Sequence, residues 1–552
     1  MFKKEERACF NLKYLNDKLR RCFSYLSKFI FFCIIFFSLK LFANTKTQQI
    51  TIPTGSLLGT VDSENGIISF KGIPYAAPPI GALRWKEPQP VKKWKGIRDA
   101  TKFGAKCWTA SPFGGPVNTK DVNEDCLFLN IWTPAEQNKK LPVMVFIHGG
   151  GFQFGSASDN SLDGTSLAKK GVVLVTINYR LGVFGFLART DLDKETKSQS
   201  SGMYGTLDQI AALRWIKQNI SSFGGDPDRV TLFGESAGAH SVGILMASPL
   251  TKGFIHRAIG ESGAFWESEN GGIKSKAEAL KMGEHFGKKM KAKTIKDLRK
   301  IPALALQNAT PWSFAVDPSV ENFSPSLDGY VLPTRPYTQF LKGKQNDIPL
   351  LVGWNANEGQ MFLARTLPNQ TAEEFTKAAT KVFGKENLPH FLQLYPASTL
   401  EETKKSAESL IGDIVISFQT WSWANIHKKT GTAPVYVYYF KPVTSYTPVA
   451  LHIDDIPYVF GNFPVKKNVT AGKQDLSLSE SIQMYWTNFA RTGDPNGNEL
   501  PTWPVYKGAG SEVMQLGNVI QAAQEEGTEK FQFLNTFRTN DNITIQFLEK
   551  NK

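Results

Sequence analysis

Gly234-Glu235-Ser236-Ala237-Gly238 sets a serine midway between two glycines. The apolar run Val230-Thr231-Leu232-Phe233 precedes it, and the small residues Ala239-His240-Ser241-Val242, suited to a helix, follow it. At a sharp turn from strand to helix, a serine hydroxyl is thrust above the sheet and can act as a nucleophile. Side chains at the flanking positions would clash in such a turn, so glycine is needed there. The following helix start brings backbone N–H donors and a positive dipole end to the same place. A chain with 46 glycines can produce the pattern by chance, and a partial copy, Gly260-Glu261-Ser262-Gly263, lacks the second spacing. The weight of the motif therefore rests on what accompanies it.

Acyl transfer through a serine needs a base, a group that orients the base, and donors for the developing oxyanion. His148-Gly149-Gly150-Gly151-Phe152 directly follows the apolar run ending at Ile147. Three glycines at a strand's end let successive N–H groups curl into one space, whereas a merely flexible turn explains one glycine better than three. Gly150 and Gly151, with the N–H of Ala237, would form a three-donor hole, each donor contributing on the order of 10²–10³ in rate. With the order serine, acid, histidine, the base is one of His240, His256, His285, His390, His427 and His452. His240 sits inside the helix after the serine and cannot easily reach back. His285 lies among lysines on an exposed helix. His427 precedes Lys428-Lys429 near a helix end, where a contact with the helix dipole accounts for it. His256 and His390 have no supporting context. His452 occupies a loop after the late strands, where a mobile base should sit. Glu358, in Gly353-Trp354-Asn355-Ala356-Asn357-Glu358-Gly359, follows a strand as a loop acid should. It would orient His452 and stabilise the imidazolium.

The elements that must carry these residues are legible in the apolar pattern. Residues 49–73 read as short strands with Asn65-Gly66 as a tight hairpin turn. Leu141–Ile147, Val172–Ile177, Val230–Phe233, Pro349–Gly353 and Val435–Phe440 are strand-length apolar runs that suit a sheet buried on both faces. Leu207, Ile210, Ala211 and Trp215 recur at helical spacing between Met203 and Asn219. Residues 264–345 and 360–432 read as mainly helical insertions that cover one end of the sheet. Strands alternating with helices predict an α/β fold, a large mostly parallel sheet with an antiparallel start.

The chain resembles the type-B carboxylesterases, the carboxylesterase/cholinesterase family of α/β-hydrolases, over roughly residues 49–505. The likeness rests on motifs in family order: Phe70-Lys71-Gly72-Ile73-Pro74-Tyr75-Ala76, Leu83-Arg84-Trp85, Glu124-Asp125-Cys126-Leu127-Phe128-Leu129-Asn130-Ile131, and His148 to Phe152. Asn178-Tyr179-Arg180, Phe223-Gly224-Gly225-Asp226-Pro227, the serine pentapeptide, Asn357-Glu358-Gly359 and Ala490-Arg491-Thr492-Gly493-Asp494-Pro495-Asn496 continue it. The resemblance implies the α/β-hydrolase fold, Ser236, Glu358 and His452 as the triad, the same oxyanion donors, and a Cys107–Cys126 disulfide. The chain departs from the family pattern at Asp455, where Glu is usual, and at Glu261, where Gln is usual. The Cys107 to Cys126 loop is shorter than in cholinesterases, which argues against their choline site.

Composition bounds the remaining choices. A basic stretch to Lys28, the apolar run from Phe29 to Phe37 and a small residue at Ala43 read as a secretory signal peptide over residues 1–43. Residues 44–552 then form a single catalytic domain with helical insertions, secreted or periplasmic. The apolar run is well short of the ~20 residues that span a bilayer, so no stable span is expected after cleavage; an uncleaved N-terminal anchor is the alternative. Without the leader's nine Lys/Arg and three Asp/Glu, the net charge falls from +14 to +8. The remaining basicity is scattered, which gives no nucleic-acid partner. Cys107 and Cys126, the two cysteines left, suit one disulfide in an oxidising compartment or two buried thiols. No zinc motif is present, and no metal or cofactor is expected. The expected activity is hydrolysis of small-molecule carboxylic esters. A lipase, thioesterase or amidase is the alternative, and a non-catalytic adhesion protein is disfavoured because all three triad residues are present.

Overall fold

The computed structural model describes residues 46–538 apart from 112–116, 118, 137–139, 265–272, 312–320, 363–370 and 467. The expected leader, residues 1–43, therefore lies outside the described residues.

Among the described residues, thirteen strands build one sheet: β1 (Thr47–Ile52), β2 (Gly55–Asp62), β3 (Ile67–Pro74), β4 (Ile97–Asp99), β5 (Phe128–Pro134), β6 (Leu141–Ile147) and β7 (Val173–Ile177), then β8 (Gly225–Glu235), β9 (Arg257–Glu261), β10 (Leu350–Asn355), β11 (Val435–Phe440), β12 (Glu512–Leu516) and β13 (Ile520–Gln524). Their order across the sheet is β1-β2-β3-β5-β7-β6-β8-β9-β10-β11-β12-β13, with β4 beside β2. Strands β7 to β12 pair in parallel. The N-terminal meander is antiparallel, as its hairpin signals predict. The C-terminal edge is antiparallel too, through a β12/β13 hairpin that the apolar pattern did not reveal. That strand has exposed polar positions, so it carries no buried run to read.

The parallel centre is apolar on both faces because both are covered. Val143, Val145 and Ile147 of β6 enter one core cluster, and Met144 and Phe146 enter the other. The helix Tyr204–Asn219 packs on the first face and the long helix Lys473–Thr492 on the second, where Leu478, Ile482 and Trp486 join Phe233, Ile259 and Leu351.

The described parts of the insertions are mainly helical, as expected. Lys276–Lys289 and Pro336–Leu341 lie between β9 and β10; Ala372–Phe383, Leu400–Gly412 and Phe418–Thr430 lie between β10 and β11. Several start at reciprocal caps, such as Ser275 with Glu278 and Thr399 with Glu402, which satisfy two otherwise orphaned N–H groups each. No helix among the described residues is long and apolar enough to cross a membrane.

Candidate active site

Ser236 stands where β8 ends and the helix Ala237–Ala247 begins. Its backbone is left-handed, with φ 55° and ψ −122°, a conformation that costs a non-glycine residue of order 1–3 kcal/mol. The surroundings hold it there. Ser236 N–H donates to Glu261 O at 2.9 Å, and His240 N–H donates to Ser236 O at 2.9 Å. A Cβ on Gly238 would lie 2.0 Å from Ile147 O, and one on Gly234 would lie 2.6 Å from the Gly238 carbonyl carbon. The two glycines are thus required by close backbone packing of β6 against the turn.

The acid and base arrive on loops beyond the parallel strands. His452 Nε2 lies 2.9 Å from Ser236 Oγ, and its Nδ1 lies 2.5 Å from Glu358 Oε2. With the proton on Nδ1 shared with the carboxylate, Nε2 is the acceptor facing the serine hydroxyl. The other Glu358 oxygen, Oε1, accepts from Asn355 N–H at 2.6 Å and Ser262 Oγ at 2.7 Å. Asn355 also grips the histidine loop: its Nδ2 donates to Leu451 O at 2.7 Å and to His452 O at 3.0 Å. One residue at the end of β10 therefore holds both the acid and the histidine loop. The Phe362 ring stands edge-on to the His452 imidazole with centroids 5.3 Å apart.

The glycine loop after β6 lies directly against the serine. A Cβ on Gly149 would approach Ser236 Cβ to 3.1 Å and Glu235 Oε2 to 2.6 Å. Gly150 and Gly151 have φ of 103° and 59°, values that turn successive N–H groups toward one side. Tyr179, whose role the sequence left unread, braces this loop. Its Oη donates to His148 O at 3.0 Å, and its ring stacks on the His148 imidazole at 4.6 Å.

Burial decides which groups carry charge. It pushes His148 down to about 4 and His240 to about 3, so both are neutral at physiological pH. Glu235 Oε1 lies 3.4 Å from His452 Nε2. Burial, reinforced by Asp455, Glu358 and Glu261, lifts the Glu235 carboxyl well above the usual range.

The other candidate histidines are placed apart from the serine hydroxyl. His240 does reach back, but its Nδ1 meets Ser236 O, at 2.6 Å, and not the hydroxyl. His285 is exposed and pairs with Glu321 at 2.7 Å. His256 Nδ1 accepts from Val230 N–H at 3.2 Å, and His390 packs against the Phe533 ring. His427 lies in the last turn of the helix Phe418–Thr430, as expected, but it is fully buried and its Nε2 lies 2.9 Å from Ile348 O, so a contact between elements accounts for it and not the helix dipole.

The remaining motifs frame the site. Cys107 and Cys126 are disulfide-bonded. Asn178 Nδ2 donates to Ala105 O and Cys126 O, both at 3.1 Å, which ties the disulfide to the end of β7. Arg180 forms a two-pronged ion pair with Asp208, both bonds 2.7 Å, deep under the site. Arg84 holds Glu124 through Nε and Nη2, each at 2.5 Å.

A mostly parallel sheet carrying a serine elbow, a loop acid, a loop histidine and a glycine-rich donor loop defines the serine ester hydrolases of the α/β-hydrolase class. The model of the carboxylesterase family matches residues 46–534, and the chain belongs to that family. It is 37% identical to a fumonisin B1 esterase of Sphingopyxis macrogoltabida, covering 85% of this chain and 87% of the relative. It is 35% identical to a para-nitrobenzyl esterase of Bacillus subtilis (strain 168), covering 88% of this chain and 98% of that one. Against liver carboxylesterase 1 of Oryctolagus cuniculus the identity is 34%, over 85% of this chain and 90% of the relative. A solved structure of PNB esterase superposes with a TM-score of 0.74 at 33% identity, covering 89% of this chain and all of the other. The chain is a carboxylic ester hydrolase.

Proposed function

We propose that Ser236, His452 and Glu358 hydrolyse small-molecule carboxylic esters through an acyl-enzyme, in a protein exported by its N-terminal leader. Ser236 Oγ attacks the ester carbonyl as His452 Nε2 takes its proton, and the oxyanion forms against the N–H groups of Gly150, Gly151 and Ala237. His452 returns the proton to the leaving alcohol. Water then attacks the acyl-enzyme with His452 again as base, and Ser236 is regenerated. Glu358 keeps the imidazole in the reactive tautomer and offsets its charge in both steps. The observation that carries this reading is the unbroken chain from Ser236 Oγ through His452 to Glu358, at 2.9 Å and 2.5 Å.

Export is supported by the basic and apolar character of residues 1–43 and by the Cys107–Cys126 disulfide, which an oxidising compartment preserves. The test is turnover of p-nitrophenyl esters of increasing acyl length by the purified protein, with Ser236→Ala alongside. The expected result is activity on short chains that is lost in the variant while its thermal melt is kept. Undiminished turnover by folded Ser236→Ala would overturn the assignment of the nucleophile. Sequencing the N-terminus of the exported protein tests the leader, with a start just after Ala43 expected.

A further inference from the structure

Behind the triad, four strands line up one row of side chains. The register pairs Glu235 of β8 with Glu261 of β9, Glu261 with Gly353 of β10, and Gly353 with Tyr438 of β11. Neighbours paired across parallel strands point to the same face, here the face covered by the helix Lys473–Thr492. Gly353 supplies the room: a Cβ there would lie 2.2 Å from the Tyr438 ring. Asp455, three residues after His452, enters the same space and accepts from Tyr438 Oη at 3.1 Å and Asn355 Nδ2 at 3.3 Å. Glu261 is fully buried and accepts from Trp486 Nε1 at 2.6 Å through Oε1. The two donors touch each other, with the Trp486 and Tyr438 rings 5.4 Å apart.

These contacts make Glu261 a junction. Its carbonyl holds the Ser236 amide, and its carboxyl stands within electrostatic reach of Asp455, which shares Asn355 with the histidine loop. We propose that Glu261 and Asp455 hold one proton between them, and that this acid pair is the positioning device that keeps the Asn355 and His452 backbones in register with Ser236. Two bare carboxylates in one dry interior, linked through the touching Trp486 and Tyr438 rings, would repel each other and their surroundings; one proton removes one of the two charges. Both carboxyls are raised, by burial first; Asp455 adds to the rise at Glu261, and Glu358 adds to the rise at Asp455. The groups around the pair are Glu235 on β8, Glu358 after β10, Tyr438 on β11 and His452 on the loop, and Asp413 lies beyond Glu358. None of them but His452 can supply a positive charge.

The shared proton has a consequence on the alkaline side. Once it leaves, the pair carries a second negative charge and pushes the histidine loop away from the serine. Glu261→Gln removes that step, because its carboxamide keeps an acceptor for Trp486 and has no proton to lose. The test compares the pH profiles of kcat/KM and of the melting temperature for wild type and Glu261→Gln, with infrared spectra of the protonated carboxyl stretch. The expected ratio of variant to wild-type kcat/KM rises through the alkaline limb by about tenfold per pH unit beyond the pair's titration. The melting temperature should fall with rising pH more steeply in wild type, and one protonated-carboxyl band should be missing in the variant. Parallel alkaline limbs, or an unchanged carboxyl band in Glu261→Gln, would overturn the pair. Should Glu261→Gln fail to fold, Asp455→Asn takes away the other ionisable member of the pair and must show the same flattened limb. The infrared and melting readouts do not depend on which ester is hydrolysed.

Discussion

At the scale of the residue, the site works because each reactive atom has its alternatives removed. Ser262 and the Asn355 amide occupy one oxygen of Glu358, so only the other can face His452. Ser262 belongs to the partial copy of the serine motif, which by spacing alone was only a near miss. Its hydroxyl works on the acid and not as a nucleophile. Glu235, a spacer inside the motif, is a buried acid beside the base. Neither role could be read in the sequence, because both depend on β8, β9 and β10 being neighbours. The Glu358→Gln variant should lower kcat by about 10⁴-fold with little change in the thermal melt, since an amide keeps the size but not the charge. Steady-state rates alongside calorimetry check this; a loss of tenfold or less would remove Glu358 from the role of orienting acid.

At the scale of the element, the motifs of the family describe joints. Asn178, Tyr179 and Arg180 follow β7 in sequence and spread in three directions: to the disulfide, to the glycine loop, and to Asp208 in the helix Tyr204–Asn219. Arg180 and Asp208 are almost wholly buried, so removing one leaves the other unpaired in a dry interior. Arg180→Leu should cost about 3–5 kcal/mol in stability, and Arg180→Leu with Asp208→Leu should recover much of it. Denaturant unfolding of the singles and the double measures this; equal losses in single and double variants would mean that the unpaired charge is not the cause. The joint between Gly359 and the helix Leu400–Gly412 is of the same kind. A Cβ on Gly359 would fall 1.8 Å from Glu408 O, so the glycine after the acid lets the helical insertion press on the acid loop.

At the scale of the whole molecule, buried titratable groups bound the pH range from both sides. His148 and His240 have folded values depressed by burial to about 4 and about 3. Between the ordinary histidine range and those values the unfolded chain binds more protons, so stability falls as pH drops through that window. Glu235, Glu261 and Asp455 have raised folded values. For them the folded state binds more protons above the ordinary carboxylate range, so stability falls as pH rises toward those values. The melting temperature should therefore form a dome across pH, and His240→Asn should soften its acid side. Calorimetry from acid to alkaline pH reads both; a flat profile on the acid side of wild type would contradict the burial argument.

The candidate reacting groups and most of the frame were legible in the sequence. Ser236, Glu358 and the glycine loop stand just after apolar runs, and His452 in the loop beyond a later one; such runs suit strands in a sheet covered on both faces. The parallel centre, the antiparallel start and the helical insertions follow from the same patterns, because period and length report burial directly. Tertiary structure alone decided which strands are neighbours. That order puts Ser262 on Glu358, lets Asn355 hold two loops at once, and gathers Glu235, Glu261 and Asp455 behind one imidazole. The β12/β13 edge and the buried place of His427 were hidden for the same reason. Local pattern records how deep a residue lies but not what lies beside it, and the charge and aim of a buried polar group depend on its neighbours.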